Sequence, residues 1–119
     1  MRTIIAGSRE ITNPDLVVPL IEAAPFEITT VLCGMCRGVD MIGRAWAIAK
    51  GIPVEEHPAD WHGLGARAGP ARNAKMAHVA QALIIVRFAR SRGSASMLSL
   101  ARSYQLQIID HVIPEPPAL

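Results

Sequence analysis

Short, β-branched apolar runs alternate with amphipathic stretches along most of this chain. The runs are Thr3–Ala6, Thr29–Cys33, Ile52–Glu55, Ala82–Val86 and Leu106–Ile109. Their length and branching predict strands buried on both faces. Between them, Val39, Ile42, Trp46 and Ala49 recur at helical spacing, and Gly51 follows as a C-cap. Met97, Leu98, Ala101 and Tyr104 mark a last helix in the same way. Ala71, Ala74 and Ala77 give another helix a small-residue face, with Pro70 expected at its first position. A helix near the start opens at Asn13-Pro14, and Pro19 in its middle is expected to shorten or kink it.

Five strands alternating with about four helices predict an α/β fold. Right-handed βαβ units would wind them into a Rossmann-like, doubly wound sandwich around a mainly parallel sheet. Pro53 cannot donate to a strand ladder, which places the third strand at an edge, as the order 3-2-1-4-5 requires. That order puts the topological switch between strands 1 and 4, where open α/β sheets bind ligands. Residues 1–110 form one domain on this reading, and the Pro-rich tail 111–119 is expected to be extended. Pro58–Gly69 is long for a strand-to-helix connection and is expected to act as a lid or binding loop.

Half of the 119 residues are apolar, enough for one core without metals or disulfides. Aromatic residues are few, so that core must be aliphatic. The net charge of +2 is too small for bulk electrostatics to predict nucleic-acid binding. Of the 12 basic residues only Lys50 and Lys75 are lysine, a bias that favours directed recognition of oxygen anions. A GC-rich genome produces the same bias, so the positions of the arginines decide. No apolar run approaches the ~18–20 residues of a membrane span. Met1–Ala6 is too short for a signal peptide and reads as strand. With two cysteines and no export signal, a reducing, cytoplasmic setting is expected.

Four loops pair glycine with arginine, serine or asparagine where a strand should hand over to a helix. They are Gly7-Ser8-Arg9, Gly34-Met35-Cys36-Arg37-Gly38, Gly69-Pro70-Ala71-Arg72-Asn73 and Ser91-Arg92-Gly93-Ser94. Glycine lets backbone amides approach a ligand, helix N-termini favour negative charge, and arginine adds a planar fork. Together they predict an anion-binding crevice. Ser8 would offer a hydroxyl and Arg9 a counter-charge. Asp40 would accept from a ribose hydroxyl or cap its helix. Arg72 would clamp a phosphate, stack on a base or bind loop carbonyls, while Asn73 would read a base edge or ribose. Asp60 and Trp61 would bring an acceptor and a stacking face from the long loop. Trp46, at core spacing, is expected to pack.

Other chemistries fit less well. Cys33 and Cys36 form a Cys-x-x-Cys, which in a βαβ setting also fits a thioredoxin-like redox pair. Zinc ligation by Cys33, Cys36, His57 and His62 matches no familiar finger spacing, so no metal is expected. The histidines form no triad pattern with a serine or cysteine.

Taken together, Ile4-Ile5-Ala6-Gly7-Ser8-Arg9, Cys33–Asp40, Pro58–Trp61, Gly69–Asn73 and Ser91–Ser94 resemble the SLOG superfamily. That superfamily joins the DNA-processing protein DprA (Smf) with LOG-type phosphoribohydrolases. The likeness is strongest to its short, stand-alone YspA/YpsA-related branch of bacteria and phages. It implies a Rossmann-like fold and a site for a nucleotide or nucleotide-derived ligand, with no required cofactor. A homodimer is a further family-level expectation. Met35 and Cys36 replace small residues of the branch's usual phosphate loop. The hydrolase members carry Gly-Thr-x-x-Glu where this chain has Gly93-Ser94-Ala95-Ser96-Met97. A thioether cannot do a carboxylate's acid–base work, so the resemblance implies sensing or sequestering rather than turnover. DprA-like single-stranded nucleic-acid binding and LOG-like N-glycosidic hydrolysis are the alternatives, with Asp40 and Asp60 the carboxylates for the latter. Scarce aromatic platforms count against the former.

Overall fold

A run such as Thr3-Ile4-Ile5-Ala6 is buried on both faces only if helices cover both sides of its sheet. The computed structural model, which describes residues 1–116, has that arrangement. Strands β1 (Arg2–Gly7), β2 (Thr30–Cys33), β3 (Val54–Glu56), β4 (Ala82–Arg87) and β5 (Gln107–Val112) make one sheet ordered β3-β2-β1-β4-β5. Every neighbouring pair is parallel.

Helices α1 (Pro14–Glu22) and α2 (Val39–Ala49) cover one face. There Val17, Ile21, Val39 and Ala47 pack on Ile5, Val31 and Val86. Helices α4 (Ala68–Val79) and α5 (Arg92–Ser103) cover the other, where Met76, Ala77, Met97, Leu98 and Ala101 pack on Ile4, Ala6, Leu32, Leu83 and Ile85. A one-turn helix α3 (Trp61–Leu64) and a 3-10 turn (Gly65–Arg67) lead into α4. Neighbouring residues Ile4 and Ile5 thus serve opposite layers, as strand periodicity requires. Each such fully buried aliphatic side chain contributes about 1.5–3 kcal/mol. The fold is the doubly wound α/β sandwich that the sequence predicts.

Several boundaries differ from expectation, each for a local reason. Pro53 lies just before β3, not within it, and its carbonyl accepts from Val31 N at 2.9 Å. Strand β5 runs on through His111 and Val112, which pair with Val86 and Arg87, so the expected tail begins two residues late. The bidentate Arg87–Asp110 ion pair, 2.9 Å at both contacts, ties β4 to β5 there. Residues 117–119 of the expected tail lie outside the described residues. Helix α4 starts at Ala68, which puts Pro70 third in its first turn, where a missing N–H still leaves no carbonyl unpaired. Pro19 lies inside α1 yet the helix runs on to Glu22; Asn13 caps it, accepting from Asp15 N at 3.0 Å. The long connection contains a turn of helix, α3, which Asp60 caps by accepting from Gly63 N at 2.9 Å.

Helix α2 crosses β1 closely at Gly43, where a Cβ would lie 2.6 Å from Ile5 Cγ2. Alanine gains helix propensity over glycine, about 1 kcal/mol, but here it overpacks the layer, at a cost of about 1–3 kcal/mol. Gly43→Ala is therefore expected to destabilise the protein, read as a lower urea midpoint with an unchanged slope.

Candidate functional site

Strand β1 feeds α1 on one face and β4 feeds α5 on the other, so their exit loops part and leave a cavity of about 540 Å3. Gly7, Ser8 and Arg9 line it from β1, Phe88, Arg90 and Ser91 from the loop after β4, and Gly93, Ser94 and Met97 from α5. Cys36 and Asp40 close one wall, and Arg72, Asn73 and Met76 of α4 another. This is the switch point of the sheet, and loops far apart in sequence meet there.

Helix α5 opens without a cap. Ser91 holds the N-cap position, yet its hydroxyl donates to Ser94 Oγ at 2.9 Å and no side chain caps the helix. The first-turn amides of Arg92, Gly93 and Ser94 therefore remain unsatisfied by α5 itself, at its positive end. Ser8 Oγ accepts from Phe88 N at 3.0 Å, which ties the two exit loops together and leaves its O–H to donate. Neither Arg9 nor Arg90 is ion-paired among the described residues. Glu10 and Glu115 also border the cavity.

Arg72 is only 9% exposed. Its Nε donates to Asn73 Oδ1 at 2.7 Å, and its Nη1 donates to the Gly34 carbonyl. Arg72 thus bonds a loop carbonyl and clamps the β2–α2 loop while also lining the cavity. Asn73 is engaged by the same guanidinium. Asp40, 6% exposed, accepts from Cys36 N at 3.3 Å through Oδ2. It braces the loop instead of reaching outward. Burial pushes its carboxyl up to about 6, against the opposing pull of the Cys36 amide and the Arg72 charge.

The structure does not bring every predicted residue to the cavity. Arg37 is 70% exposed, does not line the cavity, and pairs with Glu10 at its rim. Gly38, at φ +82, presses against the Ser8 and Arg9 carbonyls, where a Cβ would clash. Gly34 and Met35 lie behind the cavity wall; Met35 takes φ +62 without being glycine. Arg92 points to solvent. Asp60 borders a separate cavity of about 220 Å3 with His57 and Lys75, and Trp61 is half exposed on α3, so neither stands over the main cavity. The sequence places the loop leaving the fourth strand, Arg90-Ser91-Arg92-Gly93, at the switch point, but Arg90 is not among the contacts expected from it, nor are Phe88 and Met76. Met76 sits one turn after Arg72, a spacing that could have found it.

A family model for the YspA, cpYpsA-related SLOG family matches residues 1–63, which contain the Gly7-Ser8-Arg9 and Cys36–Asp40 loops. The chain belongs to that family. Among solved structures it is similar to DNA processing protein A (DprA) from Streptococcus pneumoniae, with a TM-score of 0.75 and 16% identity. That likeness covers 92% of this chain and 49% of DprA, so the SLOG chain spans about half the length of that protein. At that identity the likeness is one of fold. No curated protein matches the chain in sequence. Among the described residues no helix is long and apolar enough to cross a membrane.

In this SLOG domain Asp40 makes stability depend on pH. Its native carboxyl titrates near 6 and its unfolded one near 3.8, so the native state holds the proton more tightly. The stabilisation is complete below about pH 4 and lost as pH rises through 6. Between those limits the wild type should lose on the order of 3 kcal/mol relative to Asp40→Asn, measured by denaturant titration at each pH.

Proposed function

We propose that this domain binds a nucleotide, or a phosphorylated nucleotide derivative, in the cavity between the β1 and β4 exit loops, and senses or sequesters it. The observation that carries this reading is the uncapped start of α5 opening onto a cavity flanked by the unpaired Arg9 and Arg90. Free amides at a helix N-terminus and nearby guanidinium groups suit a phosphate. A volume of about 540 Å3 leaves room beyond the phosphate, against the apolar Met76, Phe88 and Met97. SLOG membership supports a nucleotide-derived guest. Met97 stands where the hydrolase pattern carries glutamate, and a thioether moves no proton, which favours binding over turnover.

The test is a thermal-shift panel of nucleosides, nucleoside mono- and diphosphates and their ribosylated derivatives. A particular phosphorylated member should raise Tm by several degrees while its nucleoside does not, because a guest of the native state stabilises it. Arg9→Ala and Arg90→Ala should each weaken that guest roughly tenfold, the loss of one charge-assisted bond. Arg37→Ala should leave it unchanged. A panel without any response would sink this reading. Release of free base would replace it with hydrolysis, and oligonucleotide binding with a steep salt dependence would replace it with nucleic-acid recognition.

A further inference from the structure

Cys36 and Cys33 differ in exposure and in what surrounds the sulfur. Cys33 is fully buried in β2, and its thiol donates to the Asp40 carbonyl at 3.4 Å. Burial pushes that thiol up to about 11. Cys36 is partly exposed, in the loop that leads into α2, and its side of the loop lines the main cavity. Two guanidinium groups flank its sulfur: Arg72 Nη1 at 3.6 Å and Arg9 Nη2 at 3.9 Å. Arg72 is held there by the Gly34 carbonyl and Asn73, so it stays beside the sulfur with no further ordering cost. Asp40, in the first turn of α2, accepts from the Cys36 backbone amide. Solvent access, flanking cations and a cavity open to a small reagent are the setting of reactive rather than structural cysteines.

We propose that Cys36 is an oxidative modification site, a thiol that reacts with hydroperoxides and thereby fills the anion site from within. The sulfur attacks one peroxide oxygen; an S–O bond forms as the O–O bond breaks. The displaced oxygen takes up the thiol proton and leaves as water or an alcohol. Sulfur loses an electron pair, the hydroperoxide gains it, and the product is a sulfenic acid. Its new oxygen lies beside Arg9 and Arg72 and accepts hydrogen bonds from them. A phosphorylated guest then meets a cavity whose cation Arg9 is already engaged. This last step alone rests on the function proposed above.

The experiment treats the reduced full chain with hydrogen peroxide, traps sulfenic acid with a selective carbon nucleophile and maps the adduct by peptide mass. The adduct is expected on Cys36 and not on Cys33, and Cys36→Ser should abolish it while keeping the wild-type circular dichroism. Arg9→Gln, a change at an exposed position, should slow labelling roughly three- to tenfold. Equal labelling of both cysteines overturns the proposal, as does a rate for Cys36 no faster than that of free glutathione. So does loss of two hydrogens through a Cys33–Cys36 disulfide, or indifference to Arg9→Gln. A second arm uses inorganic phosphate and adenosine monophosphate as probes. Any Tm rise they give the reduced protein should vanish after peroxide and persist in peroxide-treated Cys36→Ser. If they give no rise before oxidation, the nucleotide panel above decides the anion-site reading, while the labelling arm still decides the chemistry of Cys36.

Discussion

The parallel pairing of β1 with β4 is the constraint from which the rest of the carboxyl rim follows. It sets Gly7 beside Val86 and lets Ser8 N donate to Val86 O at 3.1 Å, so both strands end at one level. Because β1 turns toward one helical layer and β4 toward the other, their exits must separate. The gap between them is a consequence of strand order, not of any particular loop. Ser8 then bridges it through Phe88, which keeps the rim from splaying.

On that frame, polar groups settle into supports and free donors. Arg72 and Asp40 are buried, and a buried charge persists only where it is bonded. They meet this condition by bracing the β2–α2 loop, through the Gly34 carbonyl and the Cys36 amide. Arg90 and the amides of α5 are left without such duties, and Arg9 makes one long contact, to the Cys36 sulfur at 3.9 Å. The same division explains why Arg37, an attractive candidate in the sequence, is occupied elsewhere. Its exposed pair with Glu10 costs little desolvation and fixes little.

Much of the architecture was legible before any coordinates. The β-branched runs and the helical spacing of Val39, Ile42, Trp46 and Ala49 identify strands and helices, because burial on both faces leaves no other pattern. Pro53 pointed to the edge, and the order 3-2-1-4-5 followed. Boundaries were harder to read. Edge strand β5 has no fully buried residue, so His111 and Val112 carry no strand signal and read as tail. The Pro58–Gly69 stretch is rich in glycine and alanine, yet Asp60 caps a turn of helix within it.

For the site, local sequence determined which loops are rich in amides and guanidinium groups, since glycine and arginine act through their own covalent chemistry. It also determined that Met97 brings no carboxylate. Which donors face the cavity was decided by tertiary structure alone. Arg9 and Arg90 differ from Arg37 and Arg92 only in orientation, and orientation depends on contacts between segments distant in the chain. Gly38 pressed against Ser8 and Arg9, and Arg72 reaching across to Gly34, are such contacts. The flanking of Cys36 by two guanidinium groups from different loops belongs to the same class, because no spacing in a linear sequence encodes it.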